Sequence, residues 1–296
     1  MKNVVKNILP HILFLLLTLL IFSPSIEGTE KPFCFYAVCV FVEVLLLLYR
    51  KRSATPYIVS IVYLFLIIWE FSCSIHGAKN VVLFPPPENV FAVLPDNYDK
   101  ILQGILSSLG LLGKAFGFAL FFGVLLGFIV GLSDQLTAIV MPIVKVISPI
   151  PPLIYSPYAV ALLPSFHAAA VFIVAITIFW SLFMSVVLSI RQIDPKIMDS
   201  ARTLNLNKAS LITHVLLPYS LPGIFNNLTV SLSTSFLVLT AAEMIGASSG
   251  LGWYIKYHSD FANYAKVIFG IIVIGVVVTL LNKMILAVRK ICIRWR

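Results

Sequence analysis

The chain has 296 residues, a mean hydropathy of +1.01 and only 11% charged residues. This composition excludes a single soluble core, because repeated long apolar runs require a lipid environment. The net charge of +9 would suggest nucleic-acid binding in a soluble domain, so its distribution along the chain decides its meaning. The cysteines lack CxxC spacing and are interpreted as small apolar residues that form neither a metal site nor a disulfide. They are Cys34, Cys39, Cys73 and Cys292.

Long apolar runs are the main feature of the sequence. A bilayer core about 30 Å thick requires roughly 20 mostly apolar helical residues. Eight runs fit this template, at residues 8–24, 33–49, 57–75, 104–132, 139–164, 168–190, 221–245 and 266–288. We therefore predict an all-α polytopic membrane protein with about eight transmembrane helices.

Two of these runs have special features. The first is expected to be an uncleaved anchor, with a signal peptide ending near Ser23–Ser25 as the alternative. The fifth contains several prolines, which remove backbone hydrogen bonds, so this helix is expected to be kinked or interrupted. These prolines are Pro142, Pro149, Pro151, Pro152 and Pro157.

Basic residues are distributed unevenly between the two sides that the alternating runs define. If the N-terminus is cytoplasmic, most of the 21 basic residues lie inside, as the positive-inside rule requires. The inside set is Lys2, Lys6, Arg50, Lys51, Arg52, Arg191, Lys196, Arg202, Lys208, Lys283, Arg289, Lys290, Arg294 and Arg296. The outside set is Lys31, Lys79, Lys100, Lys256 and Lys266, while Lys114 and Lys145 fall within runs. We therefore predict two cytoplasmic termini and no nucleic-acid binding.

The layout predicts three regions. Residues 1–56 hold two accessory helices. Residues 57–103 hold the third run and an external proline-rich segment, where three consecutive prolines favour an extended backbone before a short interfacial helix. Residues 104–296 hold the remaining helices, with a polar loop at 191–222.

Glycines recur every four residues in the fourth run. They are Gly113 and Gly117, then Gly123, Gly127 and Gly131. This spacing places them on one helix face and lets another helix approach closely. We interpret the face as packing within the subunit, with a subunit interface or a sliding gate surface as the alternative.

Enzyme signatures are missing from the sequence, which contains no GxxxxGK[ST], HExxH or GxSxG. The five histidines lack ligand spacing. We therefore expect no catalytic residue, no metal site and no ATP hydrolysis by this chain alone.

The polar segment between the sixth and seventh runs has the pattern of two short helices. Asp194 followed by Pro195 predicts a helix start, and Asn205 tolerates the left-handed conformation that ends a helix. Pro218 and Pro222 are predicted to interrupt the second helix before the seventh run. One apolar face is predicted on each helix, formed by Ile197, Met198, Ala201 and Leu204 and by Leu211, Ile212, Val215 and Leu216.

Three interpretations fit this pair of helices. A helix-turn-helix DNA reader is disfavoured between two membrane spans. A loop that folds onto its own subunit is the second interpretation. We favour the third, an amphipathic helix that inserts into a groove of a cytoplasmic partner.

The segment DSARTLNLNKASLITHVLLP resembles the EAA loop of ABC importer permeases. That pattern is EAA, three residues, Gly, nine residues, then Ile-x-Leu-Pro. The spacing matches throughout, whereas the Glu, first Ala, Gly and Ile positions carry other residues. The resemblance implies a set of ATPase-coupling residues, namely Asp199, Ser200, Ala201, Arg202, Asn205, Leu217 and Pro218. A local ion pair between Asp199 and Arg202 is the alternative role for those two side chains.

Further stretches narrow the resemblance to permeases of the nitrate/taurine/sulfonate type. They are LFPPPENVFAVL, ISPIPPLIYSPYAVALL and AAEMIGASSGLGWYI, and the resemblance covers about residues 64–296. Two features differ from this family. One is the additional N-terminal spans, and the other is LLPSFHAAA, which stands where the family usually has a WFG-like turn.

The resemblance implies an architecture and a set of partners. It implies a C-terminal permease core of five to six helices, with two permease subunits, expected to be identical, around the pathway. Cytoplasmic ABC ATPase subunits would use ATP and Mg, an external binding protein would deliver the solute, and this chain would bind no cofactor. The implied location is the bacterial inner membrane, in contact with lipid. The implied solute is small, of the nitrate, sulfonate, taurine, bicarbonate or vitamin-precursor class.

Glu243 lies near the outer end of the seventh run, where an ionisable residue indicates function. We predict a pathway or gate role for it. The same role is predicted for Pro151, Pro152, Gly250 and Gly252. We interpret the SSGLG stretch as a tight packing turn, because it is external and lacks the Lys-Ser/Thr of a phosphate loop.

Two further acids lie in the N-terminal runs. Glu43 is expected to have a polar partner or to be protonated, and Glu70, next to Trp69, is expected to be an interfacial anchor.

Two other functional classes compete with an ABC permease. An ion-gradient-driven secondary transporter or channel would show clustered carboxylates at mid-depth and inverted repeats, and neither is visible in the sequence. A membrane scaffold without transport is the third class.

Overall fold

The computed structural model describes residues 2–22, 32–49, 54–74 and 82–293, and within these ranges it contains helices and no strand. The helices are α1 (Lys2–Ile21), α2 (Pro32–Tyr49), α3 (Thr55–Ser74), α4 (Pro87–Phe91), α5 (Val93–Gly131), α6 (Asp134–Ile147), α7 (Ser156–Leu162), α8 (Phe166–Arg191), α9 (Pro195–Thr203), α10 (Lys208–Leu211), α11 (Leu217–Gly246), α12 (Leu251–Asp260) and α13 (Tyr264–Cys292). A 3₁₀ turn (Pro152–Tyr155) precedes α7, and a π-helical segment (Ile212–Leu216) joins α10 to α11. The proposed signal-peptide site at Ser23–Ser25 lies outside the described residues.

Five helices in the described ranges are long and apolar enough to cross a membrane. They are Thr55–Cys73, Val93–Gly131, Phe166–Arg191, Ala209–Gly246 and Tyr264–Cys292. The helices Asp134–Ile147 and Pro152–Leu162 form a bent pair that meets at an angle of 83°, which is the geometry of a broken span or of a re-entrant loop. The apolar parts of α1 and α2 are shorter, covering Ile8–Ile21 and Phe33–Tyr49. The predicted all-α membrane architecture is confirmed, and so is the interruption of the fifth run.

The break in the fifth run lies at its prolines. Ile154 N donates to Pro151 O at 3.0 Å, and Pro152 opens the 3₁₀ turn. Since proline has no N–H to donate to the preceding turn, consecutive prolines prevent a straight continuation of α6. Pro151 and Pro152 therefore produce the bend, and their predicted pathway role stays a prediction.

The chain divides into two compact units. The first comprises Met1–Ile101 with Ile255–Ile272, and the second comprises Leu102–Tyr254 with Val273–Arg296.

In the first unit, α1, α2 and α3 pack around Leu17, Phe35 and Tyr63, all of which are fully buried. Glu43 on α2 has the polar partners that the sequence could not identify. It pairs with His11 Nδ1 and accepts a hydrogen bond of 2.8 Å from the Tyr63 hydroxyl. An acid inside an apolar helix bundle thus holds α1, α2 and α3 together.

The proline-rich segment of the first unit packs onto α3. Trp69 Nε1 donates to Pro85 O at 3.2 Å. Glu70 and Glu88 are both buried, with 1% and 2% of their surface exposed. Burial and the neighbouring Glu70 raise the pKa of Glu88 to about 7. Glu70 is therefore an interior residue, and its predicted role as an interfacial anchor is wrong.

The second unit is built on α8 and α11, whose facing sides are buried along most of their length. Ile178, Phe236 and Leu239 lie at the centre of its apolar core. A polar contact crosses the pair, because Asn227 Nδ2 donates to Ser181 O at 3.1 Å and Ser181 Oγ lies 2.9 Å from Ser231 Oγ.

Three glycines of α5 lie against α8 in a constant register. A Cβ added at Gly123 would lie 3.2 Å from Leu182, and one added at Gly127 would lie 2.8 Å from Val186. At Gly131 the distance to Ile190 would also be 2.8 Å. Since each step of four residues on α5 matches four on α8, the two helices run side by side in the same direction.

The other two glycines of the stripe face open space. No atom lies within 4 Å of a Cβ built at Gly113 or Gly117. The stripe therefore divides into a half that contacts α8 and a half that contacts nothing within the described part of this chain.

We predict that Gly127→Ala lowers the apparent Tm of the detergent-solubilised protein, measured by heating followed by size-exclusion chromatography. The new methyl group would meet Val186 Cβ, which is too close to the backbone to move aside. Overpacking costs about 1–3 kcal/mol, which exceeds the gain of about 1 kcal/mol from replacing a helical glycine. Gly113→Ala is the matched control and should keep or raise the Tm. A Gly127→Ala protein as stable as Gly113→Ala would contradict this packing.

Candidate functional site

The polar loop after α8 begins with a capped helix. Asp194 Oδ1 accepts from Lys196 N at 2.9 Å, and Pro195 is the first residue of α9. This is the start that the sequence predicted, because an Asp N-cap satisfies a free amide and proline has no amide to leave unsatisfied.

Asn205 terminates α9 in a left-handed conformation. Its φ is 50°, and Leu206 N donates back to Ala201 O at 3.3 Å. That pattern is the helix-ending motif in which a left-handed residue lets the next amide reach a carbonyl of the last turn. The predicted conformation is confirmed. Because Asn adopts it more readily than other side-chain-bearing residues, the turn forms without glycine.

The second half of the loop differs from the prediction. Asn207 Oδ1 accepts from Ser210 N at 2.8 Å and starts α10, and the backbone is then helical without a break from Ala209 to Gly246. Pro218 and Pro222 do not interrupt it, so the predicted interruption is wrong. In the π segment Leu217 N donates to Ile212 O, five residues back. The wider turn makes room for the Pro218 ring.

The burial of the predicted apolar face of α9 also differs from the prediction. Ala201 is buried and Met198 packs with Ile193 against the core of the second unit. Ile197 and Leu204, predicted on that same face, are exposed by 39% and 71%. The four positions span an arc of about 120° around the helix, and the core covers only the part of that arc that Met198 and Ala201 occupy.

The exposed surface of α9 carries the residues at the EAA positions. Asp199, Ser200 and Asn205 are exposed, and Ser200 Oγ donates to Lys196 O at 2.7 Å. The side chain of Arg202 lies outside the described residues. The loop is tied to the membrane helices, because the Tyr219 hydroxyl donates to Gln192 O at 3.2 Å.

Glu243, at the opposite end of α11, is only 1% exposed and binds the SSGLG turn. Its Oε1 accepts from Ser108 Oγ at 2.7 Å, and its Oε2 accepts from Gly252 N at 2.7 Å. Ser108 Oγ in turn accepts from Leu251 N at 2.9 Å. The carboxyl group thus joins α5, α11 and the start of α12. Sequence reasoning identified Glu243 but missed Ser108, which carries no signal in an apolar helix.

Two glycines make this contact possible. Gly250 has a φ of 121°, and a Cβ there would lie 2.4 Å from the Glu243 Cδ. A Cβ at Gly252 would lie 2.4 Å from Thr240 O. Any side chain at either position would therefore displace the carboxyl group or the helix. These contacts are those of a packing turn, and the gate role of Glu243, Gly250 and Gly252 stays a prediction.

The described residues contain no group of three His, Cys, Asp or Glu side chains that could hold a metal ion.

We predict that Glu243→Ala frees the SSGLG turn. The variant loses two hydrogen bonds, each worth about 1 kcal/mol, so the amide of Gly252 should exchange with solvent roughly tenfold faster or more. Hydrogen exchange measured by mass spectrometry would report this change. Thr229→Ala is the control, because among the described residues its hydroxyl bonds only to Phe225 O in its own helix. Unchanged protection of the turn in Glu243→Ala would show that other contacts hold it.

Comparison with known proteins identifies the family of this chain. The family model "Binding-protein-dependent transport system inner membrane component" matches residues 119–295. The nitrate import permease protein NrtB of Synechocystis sp. is 28% identical over 234 residues, which are 74% of this chain and 82% of NrtB. The taurine transport system permease protein TauC of Escherichia coli is 28% identical over 221 residues, 72% of this chain and 80% of TauC.

A solved structure shares the fold. A chain of the MetNI methionine ABC transporter in an inward facing conformation aligns with a TM-score of 0.57 at 17% identity. The alignment covers 65% of this chain and 96% of that chain. At this identity the likeness concerns the fold alone. With the family model matching more than half of its length, the chain belongs to the binding-protein-dependent transport system inner membrane components, and it is a permease subunit of an ABC importer.

Proposed function

We propose that the chain, paired with a second identical copy, forms the solute pathway of an importer in the bacterial inner membrane. Its loop at 191–222 docks on a cytoplasmic ATPase subunit. The observation that carries this proposal is the surface of α9, where Leu204 is 71% exposed beside the exposed Asp199 and Ser200. Ile197, which is 39% exposed, lies seven residues before Leu204 and therefore on the same side of α9, and an exposed apolar patch in a polar loop favours a partner that covers it.

The anchoring of the loop supports a coupling role. Ala201 and Met198 fix one side of α9 to the core, while the other side is available to insert into a groove. A displacement of the docked ATPase subunit would therefore be transmitted through α9 to the membrane helices, because no flexible linker separates them in the described part of the chain.

The helix from Ala209 to Gly246 supports a route for that force. It contains 38 residues and is about 57 Å long at 1.5 Å per residue. One end belongs to the loop, and Glu243 at the other end holds the SSGLG turn. When the ATPase subunits close, this helix would shift as a rigid element and move the opposite end of the pathway.

ATP and Mg belong to the partner ATPase in this scheme, and hydrolysis takes place there. The chain contributes the transport path and the coupling residues, and it binds no cofactor.

The remaining partners follow from the family and the charge distribution. An external solute-binding protein delivers the solute, lipid surrounds the apolar helices, and both termini lie in the cytoplasm, where most basic residues would then be found. Residues 1–56 act as accessory helices, residues 57–103 as a connecting region and residues 104–296 as the permease core.

The solute is proposed to be small, of the nitrate, sulfonate, taurine, bicarbonate or vitamin-precursor class. The support for this class is the similarity to a nitrate permease and a taurine permease.

We predict that Asn205→Val uncouples transport from ATP hydrolysis while the protein still inserts into the membrane. A β-branched residue at φ 50° is strained, so the end of α9 and the docking surface would change shape. ATP-dependent uptake, measured with the complete transporter in proteoliposomes, should fall at least about tenfold, as for a loss of about 1.4 kcal/mol in productive docking. Asn205→Gly is the matched control, because glycine accepts this φ freely, and it should retain uptake. Normal uptake by Asn205→Val would refute the role of the turn.

We also predict that the affinity-tagged chain, extracted in mild detergent from its native host, co-purifies with a P-loop ATPase. Vanadate, which traps such ATPases, should stop uptake. Uptake that resists vanadate and follows an ion gradient would replace this proposal with a secondary transporter. A chain that captures no ATPase and supports no uptake would be a scaffold.

A further inference from the structure

A groove of about 630 Å³ lies between α5 and α8 in the second unit. The two helices are in close contact along Gly123, Gly127 and Gly131. On the other side of Gly123, toward the start of α8, the space between them is open. The walls there are mostly apolar, formed by Phe118, Phe122, Val171, Phe172, Ile176 and Phe179.

Polar side chains are confined to one end of this groove. Lys114 comes from α5, while Ser165 and His167 come from the beginning of α8. All three are exposed. Neither the Lys114 amine nor the His167 ring has a hydrogen-bond or ion-pair partner in the part of the chain that the structure describes. The lining of the groove includes no carboxylate.

Lys114 is a charged residue within an apolar helix. It lies well inside the apolar run 104–132, about 15 Å along the helix from Gly104 at 1.5 Å per residue. A charged amine held in hydrocarbon is strongly unfavourable, and charged residues in membrane proteins therefore face water-filled cavities. The Lys114 end of the groove is therefore expected to be open to water.

We propose that the Lys114 end of this groove is a binding site for the anionic group of the transported solute. The Lys114 ammonium attracts the anion, while the Ser165 hydroxyl and the His167 ring donate hydrogen bonds to it. The apolar walls keep the local dielectric constant low, which strengthens the attraction. This inference rests on the proposed function and narrows its solute class to small anions.

The site also gives a role to a segment that differs from the family pattern. Ser165 and His167 belong to LLPSFHAAA, the stretch that replaces the usual WFG-like turn. With the Lys114 ammonium in the groove and no acid among the described residues that line it, a positively charged solute would meet only repulsion there.

The test measures the charge preference of a thiol placed in the groove. Ala168 lines it next to His167, so Ala168→Cys is made in the full-length chain with the four native cysteines replaced. The protein, with the subunits that co-purify, is reconstituted in phosphatidylcholine vesicles. It is then treated with two membrane-impermeant methanethiosulfonates, one carrying a sulfonate and the other a trimethylammonium group.

We expect the sulfonate reagent to react faster, relative to its rate with free cysteine in solution, than the trimethylammonium reagent. Electrostatic focusing in a cleft changes association rates by about tenfold or more, so Lys114→Gln should lower this preference by that factor. Lys114→Arg should retain it. The matched control is Lys145→Gln, because Lys145 also lies within an apolar run but does not line the groove, and the preference should stay unchanged.

Two results would overturn the anion site. One is a thiol at position 168 that reacts with neither reagent, which would mean that lipid or protein covers the groove. The other is a charge preference that Lys114→Gln leaves intact. Labelling requires no ATP and no binding protein. If the labelling shows no charge preference while the ATPase still co-purifies and drives uptake, only the anion site is rejected. If no ATPase co-purifies but the sulfonate reagent still reacts faster in a manner that depends on Lys114, only the proposed ABC importer function is rejected.

Discussion

The second unit depends on the pairing of α8 with α11, and polar contacts inside the apolar layer fix that pairing. Between two membrane helices there is no hydrophobic driving force, because lipid tails are as apolar as leucine, so close packing and interhelical hydrogen bonds must hold them together. Asn227 and Ser231 on α11 meet Ser181 on α8 near the middle of the pair. Such bonds average about 0.6 kcal/mol each, which is modest, but they also define the register of the two helices.

That register determines what lies at each end of α11. At one end, Ile193 and Met198 pack against the base of α8 and α11, so α9 is held close to both helices. At the other end, Glu243 is placed where Ser108 and Gly252 can both reach it. A single continuous helix therefore connects the loop at 191–222 to the Glu243 contact. Its continuity depends on the π segment that accommodates Pro218.

The same helices also produce the groove. α5 lies against α8 through three glycines, whereas on the other side of Gly123, where large side chains line both helices, the space between them is open. Lys114 falls in this space and lies away from the glycine contact. Close packing at one end and an open, cationic groove at the other are two consequences of one helix pairing.

Much of this organisation was already determined by the sequence. Apolar run length, the proline cluster and the charge asymmetry specified a helical membrane protein with an interrupted fifth crossing, because these are local properties that the bilayer selects directly. The Asp194 cap and the left-handed Asn205 were also predictable, since both depend on one residue and its immediate neighbours.

Packing between distant segments decided which side chains meet. Glu243 and Ser108 are 135 residues apart, and Glu43 and His11 are 32 apart, so no local pattern reveals either pair. The exposure of Leu204 also depends on tertiary packing, because the core covers the other side of α9. Pro218 was predicted from its local propensity to break a helix, but the packing of Leu216 into the core favours a continuous helix with a widened turn. Local chemistry determined the elements and their ends, whereas contacts between distant segments determined the sites.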